Sequence, residues 1–448
     1  MHFSGPVLLL IGPLLAGVLA MLVRRWQRVT AVIGLLLASI LWFMVRATPL
    51  APTAIEAETR LFAGGTLVIL GRVFVLTEQI QFLLLLLLVS LSLLFLISLW
   101  LPQGRDFVPI NLVVLSPLMA ALMVRPFSFG ALFLLIAMAL LTTLIQAHPG
   151  SVRAALRYLI MGVLAACCVL LAAWMLDNGQ TNLSAPASRL LLVGFVILLA
   201  GFPFYVWVIP VVTKTPPLVS VVVLGLVQLT VTMFIFAMVQ ANSWLYADAE
   251  FVRLLRWSGL MTVLLAGLAA LTADWRRLLG ALVLLDMGMA LLSLLLGPEL
   301  GWQTAVTVHL SRTISLLLAG VGLTRLRQIH QDFTGLGRRA PVNALLFVFG
   351  CVSLLGLPLT MGFNGCWLII THMPDAWSVL LLLLGMAGGV LGVWQAVIRL
   401  FSQLSEAAFG VEPGLTQLIL GVSLLAFFVL ALVPQPFLPL AEKLALLP

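Results

Sequence analysis

Apolar residues run along this chain in long unbroken stretches, such as residues 82–100, separated by short polar gaps. The alternation expected of a barrel strand is missing, and so is the one-sided stripe of a soluble helix. At about 20 residues per crossing, the pattern predicts helices at 4–23, 29–47, 76–101, 107–125, 127–147, 151–176, 187–212, 216–241, 252–273, 276–297, 302–325, 341–371, 376–403 and 414–433. Residues 435–447 are too short, and too Pro-rich at their start, for another crossing, and they extend or cap the last helix. No basic region precedes the first apolar run and Arg24, Arg25 and Arg28 follow it, so residues 4–23 read as a first span and not as a cleaved signal peptide.

Two predicted spans carry the same interruption, Gly201-Phe202-Pro203-Phe204 in the seventh and Gly356-Leu357-Pro358-Leu359 in the twelfth. Proline removes a backbone donor and clashes with the preceding turn, so each break frees carbonyls that must find water, a side chain or an ion. A single kink would be ordinary in a membrane helix. A matched pair five helices apart implies two five-helix units of opposite orientation, because five is odd. The expected fold is an all-α polytopic membrane protein of about fourteen transmembrane helices, with two inverted five-helix repeats and broken helices 7 and 12. Residues 1–106 would hold three leading helices, 107–241 the first repeat, 252–403 the second, and 404–448 a C-terminal helix. Within 48–75, Gly64-Gly65 and the alternating Leu67, Ile69 and Val73 suggest a small outer hairpin.

Composition agrees: 63% hydrophobic residues, 8% charged residues and a mean hydropathy of +1.22 exclude a soluble domain. The net charge of +8 needs no nucleic acid. Most of the basic residues, among them Arg24, Arg105, Arg153, Arg276, Arg338 and Arg399, fall on one predicted face, as they do on the cytoplasmic side of membrane proteins. That face is then cytoplasmic, with both termini outside. Trp26, Trp42, Trp100, Trp244, Trp257 and Trp302 lie near span ends, where interfacial anchors sit. Cys167, Cys168, Cys351 and Cys366 read as small core residues, and the adjacent pair does not have the spacing of metal ligands. No His pair spaced for haem or zinc, no nucleotide-binding loop and no Ser-His-Asp arrangement is visible, so no metal, cofactor or catalytic site is expected.

Ionisable groups at depth are few. The only two lysines, Lys214 and Lys443, fall at or beyond helix ends. Asp286 in the tenth span faces His309 and Arg312 in the eleventh, and the last two, three apart, share a helix face. The trio reads either as a surviving proton half-channel or as a structural ion pair locking two helices; the second is preferred, because buried pairs need no transport role to exist. Glu78, with Gln79 and Gln81, reads as a headgroup-level residue, and His148, His330 and His372 as loop residues without a role.

The segment Asp274-Trp275-Arg276-Arg277-Leu278-Leu279-Gly280-Ala281, with Met287-Gly288, resembles the "D-x-K-R-L-L-A-Y-S-S-I-x-x-M-G" signature of antiporter-like subunits. These are the subunits of respiratory complex I, membrane-bound hydrogenases and Mrp cation antiporters. Pro203-Phe204-Tyr205-Val206-Trp207 with Thr215-Pro216-Pro217-Leu218-Val219-Ser220 is similar to their "P-F-H-x-W-x-P … P-T-P-V-S" segment, and Gly356-Leu357-Pro358 with Gly362-Phe363-Asn364-Gly365 to their "G-x-P-x-x-x-G-F-x-G-K". The three lie in family order, and the resemblance covers about residues 76–430. It implies a glutamate in the fifth helix and lysines along the bundle, a relay whose proton affinity shifts as the charges approach and part. This chain departs from that pattern: Ala137 stands at the glutamate position, and Leu198, Gln228, Leu317 and Cys366 at lysine positions. His309 matches the first histidine of an H-x-x-x-H pair whose second member is Thr313. Gln228 can hold water but cannot titrate.

The resemblance implies a membrane-arm subunit of a redox-driven proton-translocating complex of the NADH:quinone oxidoreductase type, in a bacterial inner membrane. Other membrane-arm subunits would be its partners, redox chemistry would be theirs, and its own role would be scaffold or partial water path. The alternatives are an active proton or cation transporter using Asp286, His309 and Arg312, and a structural anchor of a hydrogenase-like or carbon-uptake module.

Overall fold

A computed structural model describes residues 5–48, 66–69, 71–101, 103–177, 184–329 and 334–402. The expectations for Gly64-Gly65, His330, Lys443, the span at 414–433 and the segment 435–447 fall outside these residues. Eight described helices are long and apolar enough to cross a membrane, and five shorter apolar helices accompany them. Together they match the first thirteen predicted spans. The contacts divide the chain into two units.

The first unit runs to Leu198 and takes in Thr230–Ser243. Its helices are α1 (Gly5–Leu22), α2 (Gln27–Ala47), α3 (Glu78–Ser98), α4 (Phe107–Met123), α5 (Gly130–Gln146), α6 (Val152–Asp177) and α7 (Ser184–Leu198). α1 packs on α4, α2 on α3, and α6 on α7. In hydrocarbon the polar side chains must pair within the bundle. Ser116 Oγ accordingly donates to the Leu10 carbonyl at 2.7 Å, and Gln81 Nε2 to the Val45 carbonyl at 2.8 Å.

The expected hairpin is present as β1 (Thr66–Ile69) and β2 (Arg72–Val75), which pair antiparallel with Leu67 opposite Phe74. Gly71 turns at φ +73°, a conformation that favours glycine. One expectation is corrected beside it. The fourth span was expected to reach residue 125, but the helix stops at Met123, and Val124–Arg125 forms β3, paired with β2. Arg125 precedes Pro126, which pushes it into extended backbone, and its Nη1 donates to the Leu122 and Val124 carbonyls at 3.1 and 3.0 Å. The cysteine reading is corrected too. Cys351 and Cys366 are buried, but Cys167 is exposed and Cys168 half-buried on α6, whose outer side carries the exposed Leu156, Ile160, Val163 and Trp174. A span that is apolar all round gives no sequence signal for which side faces the bundle.

The second unit comprises Leu199–Leu229 and the described residues from Trp244 on. After α8 (Val208–Lys214), the eighth span starts as α9 (Pro217–Val221), widens into a π turn at Val222–Val227 and continues as α10 (Gln228–Ala241). There follow α11 (Ala249–Leu271), α12 (Trp275–Ser293), α13 (Pro298–Ile329), the short α14 (Leu336–Arg339), α15 (Pro341–Leu354), α16 (Phe363–Thr371) and α17 (Ala376–Phe401). The 32-residue α13 is the hub, packing on α12, α15, α16, α9 and the π turn.

Both predicted interruptions break their helices. Ala200 takes φ +54° before the first, and Gly356 and Leu359 take +65° and +69° around the second. Such values are strained for alanine and leucine and need outside support. At the first break α11 supplies it: the Phe202 amide donates to Thr262 Oγ1 at 2.7 Å, and Ser258 Oγ donates to the Phe202 carbonyl at 2.8 Å. At the second, Thr360 Oγ1 donates to the Leu357 carbonyl at 2.6 Å and the Phe363 amide to the Thr360 carbonyl at 3.2 Å.

α11 and α17 approach until their backbones touch. A Cβ on Gly267 would lie 2.0 Å from the Gly385 carbonyl oxygen. Gly267→Leu is therefore expected to destabilise the fold by at least about 1–3 kcal/mol, the range for overpacking. Leu383→Ala, on the exposed side of α17, should cost well under half as much, and thermal unfolding in detergent compares the two. Asp375 caps α17 by accepting from the Ser378 amide and hydroxyl, each at 2.9 Å, with Arg256 Nη1 3.4 Å away. The amide bond, then the hydroxyl bond and the Arg256 charge, hold its carboxyl below the ordinary carboxylate range. A depressed acid stabilises fully above the unfolded value of about 3.9, and the stabilisation is lost as pH falls through the folded value. Protection of the Ser378 amide, measured against the intrinsic exchange rate at each pH, should fall as pH drops below the ordinary carboxylate value of about 3.9, and Asp375→Asn should show no such fall.

Candidate functional site

In the second unit, α12 brings Asp286, α13 brings His309 and Arg312, and the eighth span brings a main-chain carbonyl, all to one buried point. Asp286 lies midway along α12, with apolar residues from Leu278 to Leu292 around it. His309 and Arg312 lie one turn apart on α13, as their three-residue spacing requires. Arg312 and His309 are 0% exposed and Asp286 is 4% exposed, so the charges are removed from water.

The guanidinium organises the contacts. Arg312 Nε donates to Asp286 Oδ2, and Nη2 to the Asp286 carbonyl at 3.1 Å. Nη1 contacts His309 Nδ1 at 3.2 Å and the Leu224 carbonyl at 3.4 Å. Arginine stays protonated in proteins and offers only donors. Nδ1 of His309 must then accept, which leaves the ring proton of the neutral imidazole on Nε2. Two neutral partners and one anion thus surround a permanent cation.

The Leu224 carbonyl lies in the π turn, where Gln228 N–H bonds to the Gly225 carbonyl instead of the Leu224 carbonyl that a regular α-helix would offer it. π turns recur at functional sites. Gly225 is needed for the approach, since a Cβ there would lie 2.6 Å from Thr313 Oγ1 on α13.

Of the expected site residues, Asp286, His309 and Arg312 come together. Gln228 is buried one turn beyond Leu224 on the same span. Ala137 is buried in α5 and Leu198 at the end of α7, both in the first unit, while Leu317 is buried in α13 and Cys366 in α16. Gly201 and Pro203, and Gly356 and Pro358, lie in the two broken segments. Sequence reasoning missed Leu224, because a carbonyl has no residue signature; Gly225 within an otherwise bulky apolar run was the one available hint. It also missed the second polar face of α13, where Ser315 Oγ donates to Ser353 Oγ at 2.7 Å and Ser311 Oγ points at Gly362.

Among the described residues, no group of three or more His, Cys, Asp or Glu is placed to hold a metal ion. A multi-pass bundle with two broken segments and a buried charge cluster between three spans is the architecture of an antiporter-like membrane subunit. The chain belongs to the family described as NADH:quinone oxidoreductase/Mrp antiporter, TM, whose model matches residues 121–392, more than half its length. NADH-quinone oxidoreductase subunit N of Geobacter metallireducens is 25% identical over 325 residues, covering 66% of this chain and 68% of that protein. In eight such curated relatives, the match spans from 49% to 68% of the relative's length. A chain of the membrane-bound sulfane sulfur reductase, an archaeal respiratory complex, superposes with a TM-score of 0.79 at 18% identity, over 99% of this chain and 97% of that one. A chain of respiratory complex I from Thermus thermophilus with bound aureothin gives 0.71 at 20% identity, over 95% and 98%. At these identities the superpositions establish the fold.

Breaking the pair from one side should be costlier than removing it whole. Asp286→Ala leaves a buried guanidinium without its anion and is expected to cost about 3–5 kcal/mol. Asp286→Leu combined with Arg312→Met should cost far less or stabilise. Thermal unfolding of the three proteins in the same detergent checks the order.

Proposed function

We propose that this chain is an antiporter-like membrane-arm subunit of a redox-driven proton-translocating complex of the NADH:quinone oxidoreductase type, serving as scaffold or partial water path while siblings pump. The observation that carries the reading is the character of the buried cluster. Its cation is an arginine tied to an aspartate, so it neither releases a proton nor moves freely. The positions where the family resemblance implies a proton relay hold Ala137, Leu198, Gln228, Leu317 and Cys366, and none of these carries charge through a bilayer at neutral pH. Family membership and the names of the relatives support the assembly: other membrane-arm subunits are its partners and the bilayer its solvent.

The matched broken segments support two inverted five-helix repeats at 107–241 and 252–403, following three leading helices within 1–106. The C-terminal helix expected within 404–448 lies outside the described residues and would bring the count to fourteen. The excess of basic residues on one face supports both termini on the outer side of a bacterial inner membrane.

A second reading, an active transporter through Asp286, His309 and Arg312, draws on the convergence of the three side chains at a π turn. The pair Asp286→Asn and His309→Gln, introduced singly into the assembled complex, separates the two. The scaffold reading expects unchanged protons translocated per quinone reduced, whereas a loss of translocation in a complex that still assembles would establish the active reading. Loss of assembly with either variant would support the scaffold. A chain that co-purifies with hydrogenase-like or carbon-uptake subunits and no quinone reductase would point instead to a structural anchor.

A further inference from the structure

We propose that the atoms around Arg312 form a monovalent-cation site between the eighth span, α12 and α13, closed from within by the guanidinium as a tethered occupant. Four acceptors from these three elements ring the guanidinium: Asp286 Oδ2 at Nε, the Asp286 carbonyl at Nη2, and the Leu224 carbonyl and His309 Nδ1 at Nη1. One anion, two carbonyl dipoles and an imidazole lone pair make a donor set for a singly charged cation. A plain ion pair between α12 and α13 would need only the first of them. The eighth span contributes as well, for its π turn carries the Leu224 carbonyl and its Gly225 admits α13 at contact distance. Unwound backbone that aims carbonyls at a point within a bundle is how membrane proteins hold small cations.

The side chain filling the site is fully buried, and its charge is permanent. The intact protein therefore takes no cation from solution at this point, and proton release cannot empty the site. Removing the guanidinium leaves a carboxylate and two carbonyls facing an apolar interior, with a net negative charge. Guanidinium, sodium or potassium ion from solution would then fill the gap. This inference rests on the reading of the cluster as a closed site, and not on which complex the chain joins.

The test uses the purified full-length chain in detergent, as wild type, Arg312→Ala, and Arg312→Ala with Asp286→Asn. Thermal midpoints are followed while guanidinium, sodium or potassium chloride is raised through the low millimolar range, against choline chloride at equal ionic strength. The expected result is a lowered midpoint for Arg312→Ala that at least one of the three cations raises saturably, by roughly 2 °C or more over choline. Wild type and the double variant should not respond. If Arg312→Ala gives no folded protein, Arg312→Gln carries the same comparison, since it keeps most of the volume but not the charge. No response, or an equal response in the double variant, overturns the proposal, because Asp286 has then taken a proton or the ion acts elsewhere. Such a failure leaves the assembly reading intact, which co-purification tests separately.

Discussion

Hydrocarbon offers no hydrogen bonds, so every carbonyl, amide and charge within the spans must be satisfied by the chain itself. In most spans the unbroken helix does this alone. At the first break a neighbour intervenes, Thr262 and Ser258 of α11 taking up the amide and carbonyl of Phe202, whereas the second is bonded within its own segment. At the π turn the Leu224 carbonyl accepts from Arg312. The irregularities of the second unit are thus places where one element's surplus acceptors meet another's donors.

That constraint also sets what the charge cluster can do. A lysine at depth is a compact cation whose pKa follows its surroundings, which makes it useful for carrying protons. A guanidinium keeps its proton and holds several acceptors in a fixed plane. With Asp286 and two main-chain carbonyls fastened to it, Arg312 joins three spans. The cluster is thus built for attachment and not for proton exchange, which is the basis of the architectural role proposed above.

Much of the fold was legible because its signals are strong. Runs of about 20 apolar residues have one meaning in a helical membrane protein, and Gly-x-Pro within such a run interrupts it. Asp286, His309 and Arg312 stood out because charge inside a span is rare and their spacing puts two of them on one face. The π turn was nearly illegible, since apart from Gly225 nothing in this apolar run distinguishes a widened helix from a regular one. The stop of α4 at Met123 was missed because Val124 is as apolar as the helix before it, and the exposure of Cys167 because α6 is apolar on every side.

The amino-acid order by itself determined that the chain crosses a membrane, which two spans break, and that Asp286, His309 and Arg312 lie within spans. These follow from local chemistry: transfer free energy, the missing amide of proline, and the helical repeat. Only the tertiary structure decided that Arg312 is shared among Asp286, His309 and Leu224, and that the eighth span gives up a carbonyl to it. Those outcomes depend on which helix faces meet, and in a chain apolar on nearly all sides, faces are chosen by packing and by the demand of buried polar atoms for partners.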